Sequence, residues 1–279
     1  MKSTSLRESI FTRLAGIGIA TPALLTVSLL FVYPFILSFA ESFQLKDGGI
    51  GLANYIEAFT TYGGDMVYTI IICVISLSLL LLITVFIAGI LRLYAFPVVE
   101  FLFKIPLFVP YVVVGHAMRV FLAPNGTLNA AIDAMTLWDV SQLPSIAYSS
   151  AGLIAALVWK NLGIALLILL GAFRSVNEEM LEAAQGLGAN KLKVITQFLI
   201  PLSKGSFGVI AILTFTSMIS SFSIPAMIGS GGGNHMIMID LYHQIVYQQN
   251  PGLANALGVF SYIISLGAAI YYIRGLSKK

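Results

Sequence analysis

Six long apolar stretches dominate this sequence and leave it few folds to adopt. They run from about Leu14 to Phe39, Val67 to Leu91, Ile105 to Leu122, Ala147 to Phe173, Phe207 to Ile228 and Ala256 to Ile273, the third with an alternative start at Pro97. A helix needs about 20 apolar residues to cross the hydrocarbon core of a bilayer. Inside that core the backbone finds no water, so such a run must satisfy its own N–H and C=O groups as a helix. Charge content points the same way. Charged residues make up 10% of the chain, against roughly 25% in soluble domains. The pattern predicts an all-α membrane protein, with residues 1–279 forming one bundle of six transmembrane helices.

Basic residues set the direction. With the N-terminus in the cytoplasm, the inside segments hold Lys2, Arg7, Arg13, Arg92, Lys104, Arg174, Lys191, Lys193, Lys204, Arg274, Lys278 and Lys279. The outside segments hold Lys46, and Arg119 and Lys160 fall within spans. Positive charge near span ends is retained in the cytoplasm, so both termini are expected there. The pI of about 8.9 is thereby assigned to membrane orientation, with no nucleic-acid partner. The first stretch has the basic start of a secretory signal. Its apolar core, about 26 residues, is too long for one and no A-x-A site closes it. It reads as an uncleaved span, bent by Pro22 and Pro34. Cys73 lies in an apolar run as a small buried residue, without a pairing partner.

The outside segments, about Ala40 to Met66, Ala123 to Ile146 and Gly229 to Asn255, are long and rich in turn residues such as Asp47-Gly48-Gly49, Pro124-Asn125-Gly126 and Gly231-Gly232-Gly233. They read either as a cap over a pathway or as ordinary connectors.

Residues 175–201 form the largest inside segment. Ser175 or Asn177 can cap a helix, and the acids behind them suit its positive end. Met180, Leu181, Ala184 and Leu187 can share one helical face. Gly186 and Gly188 permit a reversal, Asn190 can cap a second helix, and Pro201 ends it. The expectation is helix, turn, helix, with small side chains at the bend where a partner's backbone can come close.

The string Glu182-Ala183-Ala184, then Gly188, then Pro201 resembles the EAA loop of binding-protein-dependent ABC permeases. The family pattern is EAA, three residues, Gly, nine residues, then I-x-L-P. Phe198 and Ile200 stand where the family has Ile and Leu. The family also shows six spans with this loop between the fourth and fifth. The resemblance implies a type I ABC importer permease in a prokaryotic inner membrane. Glu182, Ala183, Ala184, Gly188 and Pro201 would dock an ATPase whose closure flips the bundle between inward- and outward-facing states. It also implies two ATP-binding subunits, a second permease subunit that is identical or homologous, and a periplasmic or lipid-anchored solute-binding protein. No GxxxxGK[ST] loop occurs here, and Lys204-Gly205-Ser206 lacks the upstream glycines. ATP and Mg are therefore expected on the partner. The chain itself is expected to hold no cofactor, and it is not expected to be an enzyme.

Four polar residues are pathway candidates. Lys160 and Asn161 lie mid-span, where a charge is costly and faces the bundle interior or water. Lys160 could attract an anionic solute or pair with a neighbouring helix. His116 and Arg119 share a face in the outer half of the third span, where Arg119 lines the outer mouth or snorkels to the interface. His235, Asp240 and His243 have unsuitable spacing for zinc, and no metal site is expected. No acid lies deep in a span, which disfavours a dication. The stretch Phe222 to Gly229 looks like the corresponding region of polyamine, phosphonate and ferric-iron permeases. Gly51-Leu52-Ala53-Asn54-Tyr55 is shared with those and with sugar permeases. An organophosphonate or a polyamine is the preferred solute, ahead of a sugar. An ion-coupled secondary transporter would need buried acids and paired broken helices. A membrane-embedded enzyme would need a nucleophile or metal set within a span. Neither pattern is evident.

Overall fold

The computed structural model describes residues 16–94, 96–136, 146–229 and 233–277. Leu14, the basic residues Lys2, Arg7, Arg13, Lys278 and Lys279, and Gly231 and Gly232 lie outside the described residues. Among the described residues the one trace of β-structure is an isolated bridge between Gln44 and Ile50.

Helix α1 covers Gly16–Glu41, with a π-helical stretch at Ser28–Val32 between Pro22 and Pro34. It is apolar and exposed almost throughout. Its far end is fixed to α12 (Pro251–Ser277): Ser38 donates to Asn255 at 2.7 Å, and Asn255 donates to Glu41 at 2.9 Å. Helix α2, Ala53–Leu93, is a single rod of 41 residues. At 1.5 Å per residue it is about 60 Å long, twice a hydrocarbon core. It starts well before the expected Val67: residues 53–66 hold no proline, and the helix runs through Gly63 and Gly64.

The stretch expected as the third span is bent. Helix α3 (Pro97–Lys104) runs into a 3-10 turn at Ile105–Leu107, and α4 (Tyr111–Phe121) leaves it at 107°. Pro106 and Pro110 account for the break, since proline supplies no N–H and crowds the preceding turn. Helix α5 is Thr127–Thr136. Helix α6, Ser150–Arg174, occupies the centre and packs along α2. Leu153, Leu157, Leu166, Leu169, Leu170 and Phe173 are all fully buried on it, as expected of a helix that is apolar all round.

The loop after α6 carries α7 (Glu178–Gly186) and α8 (Lys191–Leu202). Helix α9 (Lys204–Ile219) then turns off by 74°. A short α10 (Ser223–Ile228) packs against α4, and α11 (Ile237–Val246) lies against α12. Gly115 permits the first of these contacts: a Cβ there would sit 2.9 Å from Met227 Cβ.

Candidate functional site

The segment Ser175–Pro201 is helix, turn, helix. Asn177 caps α7 by accepting from Glu179 N at 2.8 Å, and Asn190 caps α8 by accepting from Lys193 N at 2.8 Å. Glu178 and Glu179 follow the first cap, where a helix dipole favours acids. Gly188 has φ +90°, a conformation open to glycine at little cost. That residue makes the reversal, whereas Gly186 only ends α7.

The five motif residues divide by position. Glu182, Ala183, Gly188 and Pro201 are exposed, and Ala184 is buried against the bundle. The expected shared apolar face is split. Leu181 and Ala184 turn inward, while Met180 stays partly exposed and Leu187 is 91% exposed. The helix ends between Ala184 and Leu187, so Leu187 leaves the face its spacing assigns to it. A bare leucine beside Glu182 and Ala183 makes a small apolar knob.

The loop is anchored from neighbouring spans. Val194, Ile195 and Leu199 of α8 are buried, and Ile195 lies so close to Gly89 of α2 that a Cβ there would fall 2.6 Å from its Cδ1. A π-helical stretch, Ile195–Leu199, provides this fit. Lys191 bonds Tyr94 and sits 3.8 Å from its ring centroid. Arg92, at the end of α2, donates to Phe173 O at 3.0 Å and Val176 O at 3.2 Å. Arg174 binds Glu100 through two nitrogens at 3.1 and 2.6 Å, and Lys104 donates to the same carboxylate at 2.6 Å. From sequence, Arg92, Lys104 and Arg174 stand out only as orientation charges. The Glu100–Lys104 spacing of four was visible, but the partners of Arg92 and Arg174 lie far away in sequence.

The pathway candidates separate into two pairs. Lys160 is buried and donates to Pro106 O at 3.0 Å and Val109 O at 2.6 Å, with its ammonium 4.6 Å from the Tyr111 ring centroid. Pro110 lacks the N–H that would bond Pro106 O in a continuous helix, so the lysine supplies the missing donor. Tyr111 in turn bonds Ser217 of α9 at 2.6 Å. Asn161 is buried and donates to Leu157 O at 2.8 Å, within its own helix. His116 and Arg119 are exposed on α4. His116 lines an open, mostly apolar hollow of about 790 Å³ together with Trp159 and Thr127. Arg119 donates to Tyr148 at 3.1 Å. Structure thus joins Lys160 to the bend and leaves His116 and Arg119 on the surface beyond it.

The motif Gly51 to Tyr55 has a local explanation. Asn54 donates to Ser42 O at 2.9 Å and Gln44 O at 2.8 Å, and Tyr55 bonds Ser42 Oγ at 2.6 Å. These residues fasten a hairpin. Gly252 of α12 abuts Gln44 O so closely that a side chain there would collide.

Residues 81–274 match the family described as "Binding-protein-dependent transport system inner membrane component". The chain belongs to this family. Among related permeases, it is 24% identical over 272 residues to the "Osmoprotective compounds uptake permease protein GgtC" of Synechocystis sp., covering 91% of this chain and 96% of that one. It is 24% identical over 260 residues to the "Putative 2-aminoethylphosphonate transport system permease protein PhnU" of Salmonella typhi, covering 91% and 89%. The fold is that of a chain in a bacterial alginate ABC transporter solved with an alginate pentasaccharide-bound periplasmic protein, with a TM-score of 0.75, 18% identity and 95% and 94% coverage. This permease is accordingly a membrane component of an ABC importer, and its system is binding-protein-dependent. The family match starts at Leu81, within α2, and takes in the bend, the loop and their anchors.

Proposed function

We propose that this permease forms half of a solute pathway and receives force from a separate ATPase through Glu182–Pro201. The observation that carries the reading is the loop's geometry: Glu182, Ala183 and Leu187 project from a capped helix, while Leu181 and Ala184 root it in the bundle. Two ATP-binding subunits bearing ATP and Mg, a second permease subunit, identical or homologous, and a periplasmic or lipid-anchored binding protein complete the assembly. In this reading the loop end of the bundle faces the cytoplasm, an orientation supported by the distribution of basic residues. The proposed solute is a small polar molecule such as an organophosphonate or a polyamine; the Salmonella typhi relative supports the former. A sugar is the second reading. It is favoured by Lys160, whose ammonium is engaged by Pro106 and Val109 rather than presented to an anion.

The test is isolation of the complex through a tag on this chain, followed by reconstitution and ATPase assay with solute-loaded binding protein. Glu182→Lys is expected to abolish stimulation with membrane insertion intact. Normal transport by that variant would sink the docking assignment. Gly188→Trp is expected to fail as well, but through the backbone, because its φ of +90° disfavours any side chain.

A further inference from the structure

Arg92 belongs to α2, yet its described polar partners lie at the corner between α6 and α7. Phe173 sits in the last turn of α6, where carbonyls have no donor within the helix and carry the negative end of its dipole. A guanidinium fork can serve two such oxygens at once. Its side chain is 12% exposed, so the bonds are shielded from water; Glu178, 3.9 Å away and 73% exposed, adds little. A second tie lies on the other side of the corner. Arg174, the last residue of α6, holds Glu100 of α3 in a two-nitrogen grip, the stronger geometry for such pairs. The short segment 173–178 that leads into α7 is therefore bonded to α2 by Arg92 and to α3 by Arg174.

Both receiving elements reach far from the loop. Helix α2 continues unbroken to the opposite end, where Asp65 accepts from His235 N at 2.6 Å and Thr69 accepts from Ile237 N at 2.9 Å. Helix α3 leads into the bend that Lys160 holds. We propose that Arg92 and the Glu100–Arg174 pair are positioning residues that convert displacement of α7 into movement of α2 and α3. They transmit force from the docked ATPase and do not bind it. This rests on the reading of Glu182–Pro201 as the docking loop.

Besides these ties, the loop is held by the caps Asn177 and Asn190 and by buried Leu181, Ala184, Val194 and Leu199. Removing Arg92 leaves all of these in place.

The test uses the complex purified from its native membranes through a tag on this chain and reconstituted in liposomes. Thr127→Cys places a reporter on the exposed rim of the hollow beyond the bend, and buried Cys73 stays silent to a water-soluble maleimide. The readout is the change in labelling when ATP and vanadate trap the ATPase. In Arg92→Gln, ATP hydrolysis is expected to stay within about twofold, while the labelling change falls by about fivefold or more. Glu100→Gln and Arg174→Gln are expected to reduce it similarly. The reversed pair Glu100→Arg with Arg174→Glu, in a Lys104→Gln background, is expected to restore it. An undiminished labelling change in Arg92→Gln overturns the proposal. Loss of the ATPase from that variant also overturns it, by assigning Arg92 to docking. A wild-type complex that carries no ATPase overturns the docking reading, and this inference with it.

Discussion

Lys160 donates to the carbonyl of Val109 at 2.6 Å, across the bend that splits the third span. A buried ammonium is costly, and this one offsets its cost by supplying donors that Pro110 and the start of α4 cannot. Lys160→Met should therefore act first on the fold. Bonds to charged groups contribute about 1.5–3 kcal/mol each, and two carbonyls would be left bare. The thermal midpoint of the purified permease is expected to drop, with less protein in the membrane. An unchanged midpoint with lost uptake would instead place Lys160 in the solute path.

Gly163 and Gly171 lie on the same helix, α6, and make a matched pair. A Cβ at Gly163 would sit 2.9 Å from Leu107 N and 3.1 Å from Lys104 O, whereas Gly171 has open space around it. Backbone cannot yield as a side chain does, so Gly163→Ala should destabilise by about 1–3 kcal/mol. Gly171→Ala should stabilise by up to about 1 kcal/mol through helix propensity alone. Thermal unfolding of both variants checks the sign of each; equal effects would mean that α6 does not press on the bend.

Asn54 gives a prediction about a motif rather than a contact. Its two donated bonds hold the hairpin at Ser42 and Gln44, so Asn54→Ala should cost about 1–3 kcal/mol. Solute preference should not change, because both bonds end on backbone carbonyls of the hairpin. A shift in the order of transported solutes would show that the hairpin does select.

The apolar spans were legible because lipid imposes a length and a composition. The loop's caps and its reversal were legible because Asn177, Gly188 and Asn190 act on their own neighbours. Three kinds of feature were not. The 107° bend depends on two prolines whose consequences were unreadable without the lysine that satisfies them. Leu187 fits a buried helical face by spacing, yet α7 ends before it. Arg92 and Arg174 find partners about eighty residues away, and no periodicity encodes such a meeting. In the stretch Gly51 to Tyr55, Asn54 and Tyr55 clamp a hairpin at Ser42 and Gln44, contacts that no spacing announces.

Asp240, at the opposite end from the loop, supplies a pH prediction. Its Oδ2 is buried and accepts no hydrogen bond from a described residue. Burial, followed by the nearby Asp65 carboxylate, pushes its pKa up to about 7. The folded state then holds a proton that the unfolded chain has already released. Stability from this site is complete below the ordinary carboxylate range and is lost as pH rises through about 7. Asp240→Asn keeps the neutral form at every pH. It should match the wild type near pH 3 and exceed it by a growing margin up to about pH 8. Each kcal/mol is worth about 2–4 °C in a chain of this size. Equal midpoints at both pH values would mean that water reaches the carboxyl.

Leu187 and Leu181 are alike in size and chemistry and differ only in direction: Leu187 is 91% exposed and Leu181 is 2% exposed. Aspartate at each position separates docking from folding. Leu187→Asp touches no packed atom, so the stability of the permease should hold within about 0.5 kcal/mol. If the knob seats in a partner's pocket, a central anchor of that kind is worth about 2 kcal/mol or more. Recovery of ATPase activity with the tagged chain should then fall by more than tenfold. Leu181→Asp buries a charge without a partner and should lower the permease itself, together with its ATPase. Measuring permease yield and bound ATPase activity side by side distinguishes the two. A Leu187→Asp complex that keeps its full ATPase complement would move the contact away from the knob, toward Glu182 and Ala183 alone.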